Sequence, residues 1–212
     1  MTDLQYARIL ERRNTLQRKI DSWASIQQFY MPFVTAHRRA HWPTNHSESN
    51  FVENMPLFLP ASLPATVECN KKLQQHEWRL RIAQAHDALD SLRRHLLLRT
   101  HMYKYKDRFI TGQYSNTRAR STIQNVELKI TGDAERYRAA HAALTILAPL
   151  LDQCNWDVDL QALKQEDIRG MGNSDTTRSV GTQRISWIWT IRGVGANAED
   201  GLQQGMYLIW KR

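Results

Sequence analysis

Apolar positions recur at alternating spacings of three and four over three long stretches of the chain, the pattern of helices with one buried face. In the first stretch the seam is Tyr6, Ile9, Arg13, Leu16, Ile20, Trp23, Gln27 and Tyr30, with six of eight positions apolar or aromatic. Thr2 and Gln5 stand at capping-box spacing ahead of it. Met31-Pro32 supplies a stop, because proline disfavours helical geometry in the residue before it. The second seam is Trp78, Ile82, Ala85, Leu89, Leu92 and Leu96, broken at Arg99 and resumed at Tyr103. Its helix is expected to begin between Ser62 and Thr66 and to run to about Phe109, with Gly112 as punctuation. The third seam is Ile123, Val126, Ile130, Asp133, Tyr137, Ala140, Leu144 and Leu147, starting from a helix N-terminus near Asn116 or Thr117. Gly132 lies inside this pattern without shifting its phase, so one helix is expected to continue through it until Pro149 ends it.

The connection between the second and third helices, residues 110–116, is short enough to make them an antiparallel hairpin. At about 1.5 Å per residue, helices of about 28–45 residues reach roughly 40–65 Å. The expected fold is therefore mainly α: an elongated, three-helix, coiled-coil-like bundle over residues 1–151. The stretch from Pro32 to Pro64 holds five of the six prolines and reads as a long loop within it, the apolar run Met55–Pro60 lying against the bundle. Beyond Pro149 the pattern changes. Asn155 to Asp159 offers caps for a short helix to about Ile168, closed by Gly170, and seven of the nine glycines lie from Gly170 onward. Residues 152–212 are thus expected to be a short helix with an irregular glycine-rich tail. Within that tail Ile185, Trp187, Trp189 and Ile191 alternate, compatible with a strand or with the start of a helix.

Composition narrows the function classes. In 212 residues, 29 Lys+Arg stand against 21 Asp+Glu, a formal charge of +8, and no apolar run approaches the length of a membrane helix. The chain opens without a secretory or transit pattern, and two cysteines cannot build a disulfide framework; an intracellular location, nucleus or cytoplasm, is expected. His37, His41 and His46, or Cys69 with His76, fall short of the four ligands of a closed zinc site, so no metal or other cofactor is expected. Asp157, Asp159, Glu166 and Asp167 read as acidic residues at helix starts, where the dipole favours them, rather than as a Mg²⁺ pair. The chain has no nucleophile elbow, phosphate-cradling glycine loop or His-Glu-x-x-His, and catalysis is not expected.

One feature of the charge is informative. Residues 93–120 hold Arg93, Arg94, Arg99, Lys104, Lys106, Arg108, Arg118 and Arg120 against the single acid Asp107, so eight minus one places +7 around the end of the hairpin. Tyr103, Tyr105, Phe109 and Tyr114 are interleaved with them. Cations among planar side chains suit phosphates and unstacked bases, with little sequence specificity. These eight residues are the candidate nucleic-acid contacts. The competing expectation is a solvated tip on a structural module that self-associates or docks on a partner through its helix seams.

Several phrases in order carry a resemblance. They are Ile26–Pro32, then Cys69 with Leu73, then Glu77 through Arg93 with its regular Leu and Ala positions. Arg136–Ala140 with Ala143-Leu144, Asp167-Ile168-Arg169 and Ser186–Trp189 follow. Together they resemble the C-terminal region of fungal Kyakuja–Dileera–Zisupton transposases. The resemblance implies a non-catalytic part of such an enzyme, since the family's acidic catalytic core lies upstream of the matching region and no catalytic residue carries over. It also implies a chain cut short at Trp210-Lys-Arg212, in the manner of a detached tail or transposon remnant.

Overall fold

The computed structural model describes residues 2–42, 52–64, 67, 69–171 and 185–191. Among these there is no strand, and the fold is mainly α. Five helices follow in order: α1 Asp3–Tyr30, α2 Phe33–His41, α3 Lys71–Phe109, α4 Gln113–Leu150 and α5 Trp156–Asp159. The chain divides into two compact units between Glu77 and Trp78, inside α3.

In the first unit, α1 opens with the anticipated capping box: the Thr2 hydroxyl accepts from the Gln5 N–H at 3.4 Å, and the Gln5 side chain accepts from the Thr2 N–H at 3.0 Å. The stretch read as a proline-rich loop contains the helix α2 instead. Pro32 stands at its N-cap, where the missing N–H costs nothing. Met31, Val34 and Phe58 then form a small buried cluster, flanked by Leu63, Cys69 and Leu73, so within the run Met55–Pro60 Phe58 packs inward while Leu57 stays exposed. Phe58 takes a left-handed φ of 51° to do so. That turn leaves carbonyls to satisfy, and the Gln27 amide donates to the carbonyl oxygens of Phe58 at 2.8 Å and Leu57 at 3.2 Å. A polar residue on the α1 seam is therefore buried because it closes a backbone turn. Arg38 donates to the Gln27 side chain and lies over the Trp23 and Phe58 rings, its pKa lowered by burial. The buried Glu77 carboxylate accepts the Ala61 N–H at 2.8 Å.

α3 starts later than expected. Its cap is Asn70, whose side-chain oxygen accepts the Lys72 N–H at 2.9 Å and whose carbonyl accepts the Gln74 N–H at 3.2 Å.

The second unit is built on the hairpin of α3 and α4. Trp78, Ala85, Leu89, Leu92 and Leu96 are buried on one side and all eight α4 seam residues, Ile123 to Leu147, on the other. α4 begins at Gln113 and passes through Gly132 without interruption. A histidine–carboxylate hydrogen bond and an ion pair cross between the two helices. His95 Nδ1 donates to the Asp133 carboxylate at 2.6 Å, and Arg99 reaches Glu127 at 3.1 Å. Asp133 is only 2% exposed, and its second oxygen accepts from Arg136 at 3.1 Å, so the polar intruder of the seam is a buried acid with both oxygens satisfied. Tyr103, expected to resume the α3 seam, is exposed.

Past Pro149 the chain turns through left-handed residues at Asp152 and Asn155, and α5 lasts only from Trp156 to Asp159. The longer helix to Ile168 does not form. An extended run and a 3₁₀ turn, Gln165–Asp167, take its place, and Leu160 and Leu163 are buried. Residues 187–189, left open between strand and helix, form a 3₁₀ turn with Ile188 fully buried. Most of the glycine-rich tail lies outside the described residues.

Hairpin side chains hold these segments by donating to their backbone. The Tyr137 hydroxyl donates to the Gln161 carbonyl at 2.6 Å, and burial pushes its phenol pKa up. Arg138 donates to the Leu163 carbonyl at 3.1 Å. Trp78, Trp156 and His141 add edge and tilted ring contacts at centroid distances of 5.8 and 5.1 Å.

Candidate nucleic-acid interface

The end of the hairpin is made by a short reversal. The Ile110 N–H still donates to the Lys106 carbonyl at 3.1 Å, closing α3. Gly112 then takes φ +90°, a conformation L side chains rarely adopt, and its carbonyl accepts both the Asn116 N–H at 3.2 Å and the Asn116 side-chain amide at 2.9 Å. The two helix ends leave an open groove of about 800 Å³ between them. Its walls include His101, Tyr105 and Phe109 from α3 and Tyr114, Arg118 and Thr122 from α4. Tyr105 and Phe109, one turn apart, meet at a centroid distance of 5.2 Å, tilted by 41°. Tyr105, Phe109 and Tyr114 are 60, 67 and 82% exposed, far from the burial expected of rings on a helix seam.

The eight candidate cations separate into two groups. Lys104, Arg108, Arg118 and Arg120 are exposed around this end and Lys106 is half-buried, and among the described residues no ion pair engages any of the five. Arg118 lines the groove, and Lys104 and Arg108 are sequence neighbours of Tyr105 and Phe109. Arg93, Arg94 and Arg99 stand apart. At about 1.5 Å per residue, Arg93 is roughly 16 Å and Arg94 roughly 15 Å down the α3 axis from Lys104. Arg94 is exposed and donates to the Ser91 hydroxyl at 3.1 Å. Arg99 is occupied by Glu127. Arg93 works inward: it pairs with Asp90 at 2.6 Å, and donates to the carbonyls of Ile188 and, at 2.6 Å, Ile191. Its guanidinium fastens the 3₁₀ turn to the hairpin and is not displayed to a partner.

The groove itself had no signature in the sequence. Its aromatic lining was visible as interleaved rings, but His101 and Thr122 join it only because the α3 and α4 ends sit side by side. Elsewhere, among the described residues, no three His, Cys, Asp or Glu side chains converge as metal ligands would. His37 and His41 stack on each other at 3.9 Å, and the Asp167 carboxylate accepts the Lys164 N–H at 3.0 Å to cap its turn. Burial, reinforced by Glu77, pushes the half-buried Cys69 thiol up, away from the thiolate that binds metal or attacks. No described helix is long and apolar enough to cross a membrane. No protein-family model, curated protein or solved structure matches this chain.

Proposed function

We propose that this chain is a non-catalytic helical module that contacts nucleic acid through the basic end of its α3–α4 hairpin. The observation that carries the reading is the company kept by its cations. Lys104, Arg108, Arg118 and Arg120 are exposed at the two-helix end and, among the described residues, no acid pairs with them, whereas Arg93 and Arg99 are spent on internal contacts. Cations without an internal partner need break no ion pair to meet phosphates, and each contact releases a condensed counterion. The resemblance to the C-terminal region of Kyakuja–Dileera–Zisupton transposases agrees in kind with a DNA-contacting part that lacks a reaction centre of its own. Nothing at this end is shaped as a recognition helix for base edges, so binding is expected to be weakly sequence-dependent. The test is the salt dependence of binding to a mixed-sequence duplex. Engagement of about five cations gives a log–log slope near −4.5, and a slope near zero contradicts the reading.

A second reading, self-association, is favoured by one observation: Tyr6, Leu16 and Tyr30 of the α1 seam remain exposed. Sedimentation equilibrium separates the two. A dimer dissociated by Leu16→Glu but indifferent to tip substitutions supports assembly over nucleic-acid contact.

A further inference from the structure

We infer that the hairpin end is built for single-stranded nucleic acid, bases entering the groove to stack on Tyr105, Phe109 and Tyr114 while Lys104, Arg108 and Arg118 take the phosphates; this rests on the nucleic-acid reading above and names its substrate class. The cations alone do not distinguish a duplex from a single strand. The rings do. A duplex stacks its bases inside and offers a protein end mainly its phosphate ridges, so three exposed rings would gain nothing from it. Unpaired bases present open π-faces to aromatic side chains, whatever the base.

The geometry agrees on three counts. The rings come from both helix ends and line one groove, so successive bases can meet them within a single site. At about 800 Å³ the groove is in the size range of pockets that hold small organic molecules, and it is open to solvent. Arg118 forms part of the wall itself, placing a guanidinium, which both stacks and pairs with phosphate, beside the bases. Exposed aromatic residues gathered at one end of a charged hairpin are also costly to leave in water, which marks the end as an interaction surface. The positive charge gathered around this end selects a polyanion as the occupant over an apolar peptide.

The experiment compares anisotropy titrations of the whole chain with three probes of about 15 nucleotides, a length suited to such sites. The probes are oligothymidylate, oligouridylate and a mixed-sequence duplex. The variant is Tyr105→Leu, Phe109→Leu, Tyr114→Leu, which keeps helix-forming apolar side chains and removes the rings; an unchanged melting temperature certifies its fold. The expected result is tighter binding of a single strand than of the duplex by the natural chain. The variant should lose about tenfold or more on the single strand and less than about twofold on the duplex. Whichever of the two single strands binds more tightly identifies DNA or RNA as the source. Equal affinity for strand and duplex, or equal weakening of both by the variant, overturns the inference and leaves phosphate contact standing. Failure of all three probes to bind overturns both.

Discussion

Burial separates the leucines of the hairpin sharply, and this makes the packing testable one side chain at a time. Leu89 and Leu92 are fully buried on α3, while Leu80 on the same helix is 70% exposed. Truncating Leu89 or Leu92 to Ala removes packed methyl groups and leaves a cavity, with an expected loss of about 2–4 kcal/mol each in denaturant unfolding. Leu80→Ala should leave the midpoint nearly unchanged, and equal effects at all three would mean the α3 phase is wrong. His141 offers a second test. Burial against Trp156 lowers its pKa below the ordinary 6.5, opposed by a hydrogen bond with the Leu160 backbone and by Asp157. The unfolded chain then binds the proton more readily than the folded one. The stability of the neutral ring is fully present above pH 6.5 and is lost as the pH falls through the lowered folded value. Melting temperatures between pH 7 and 5 should fall more steeply for the natural chain than for His141→Gln, and parallel curves would contradict the burial argument.

At the scale of elements, the segment bearing the 3₁₀ turn combines its own turn hydrogen bonds with two donated by Arg93 of the hairpin. Arg93→Met keeps the aliphatic stem and removes the two bonds to the Ile188 and Ile191 carbonyls. Amide exchange at Trp189 and Thr190, whose N–H groups close that turn, should accelerate while the α4 core stays protected; unchanged exchange would show the turn held by Ile188 burial alone. The long helices were legible in sequence because their seams repeat for many turns, and all eight α4 positions are buried in the phase the spacing gives. α2 was not legible, since nine residues carry too few repeats and Pro32, read as a stop, serves equally as a start. The short helix after Asn155 failed for a related reason. Asn155 sits at a left-handed φ of 62° and makes no side-chain cap, so its residue type suggested a start that its geometry does not support. The site was half legible. Arg93 and Arg99 have the same chemistry as Arg108 and Arg118, and what sets them apart is a partner remote in sequence, Ile188 or Glu127.

For the whole molecule, the central question is whether the net charge of +8 acts as a diffuse field or through one end of one hairpin. A basic protein attracts nucleic acid in either case. Two matched variants separate the possibilities. Lys104→Gln, Lys106→Gln, Arg108→Gln strips the hairpin end, while Arg8→Gln, Arg12→Gln, Arg18→Gln strips exposed positions of α1; each lowers the formal charge from +8 by three to +5. The decisive measurement is the slope of log affinity against log salt for duplex binding by the natural chain and both variants. A hairpin-end interface predicts that the first variant lowers the slope by about three, with folding stability unchanged, and that the second alters it by less than about one. Equal loss in both variants would contradict the account, leaving a solvated tip on a uniformly basic protein.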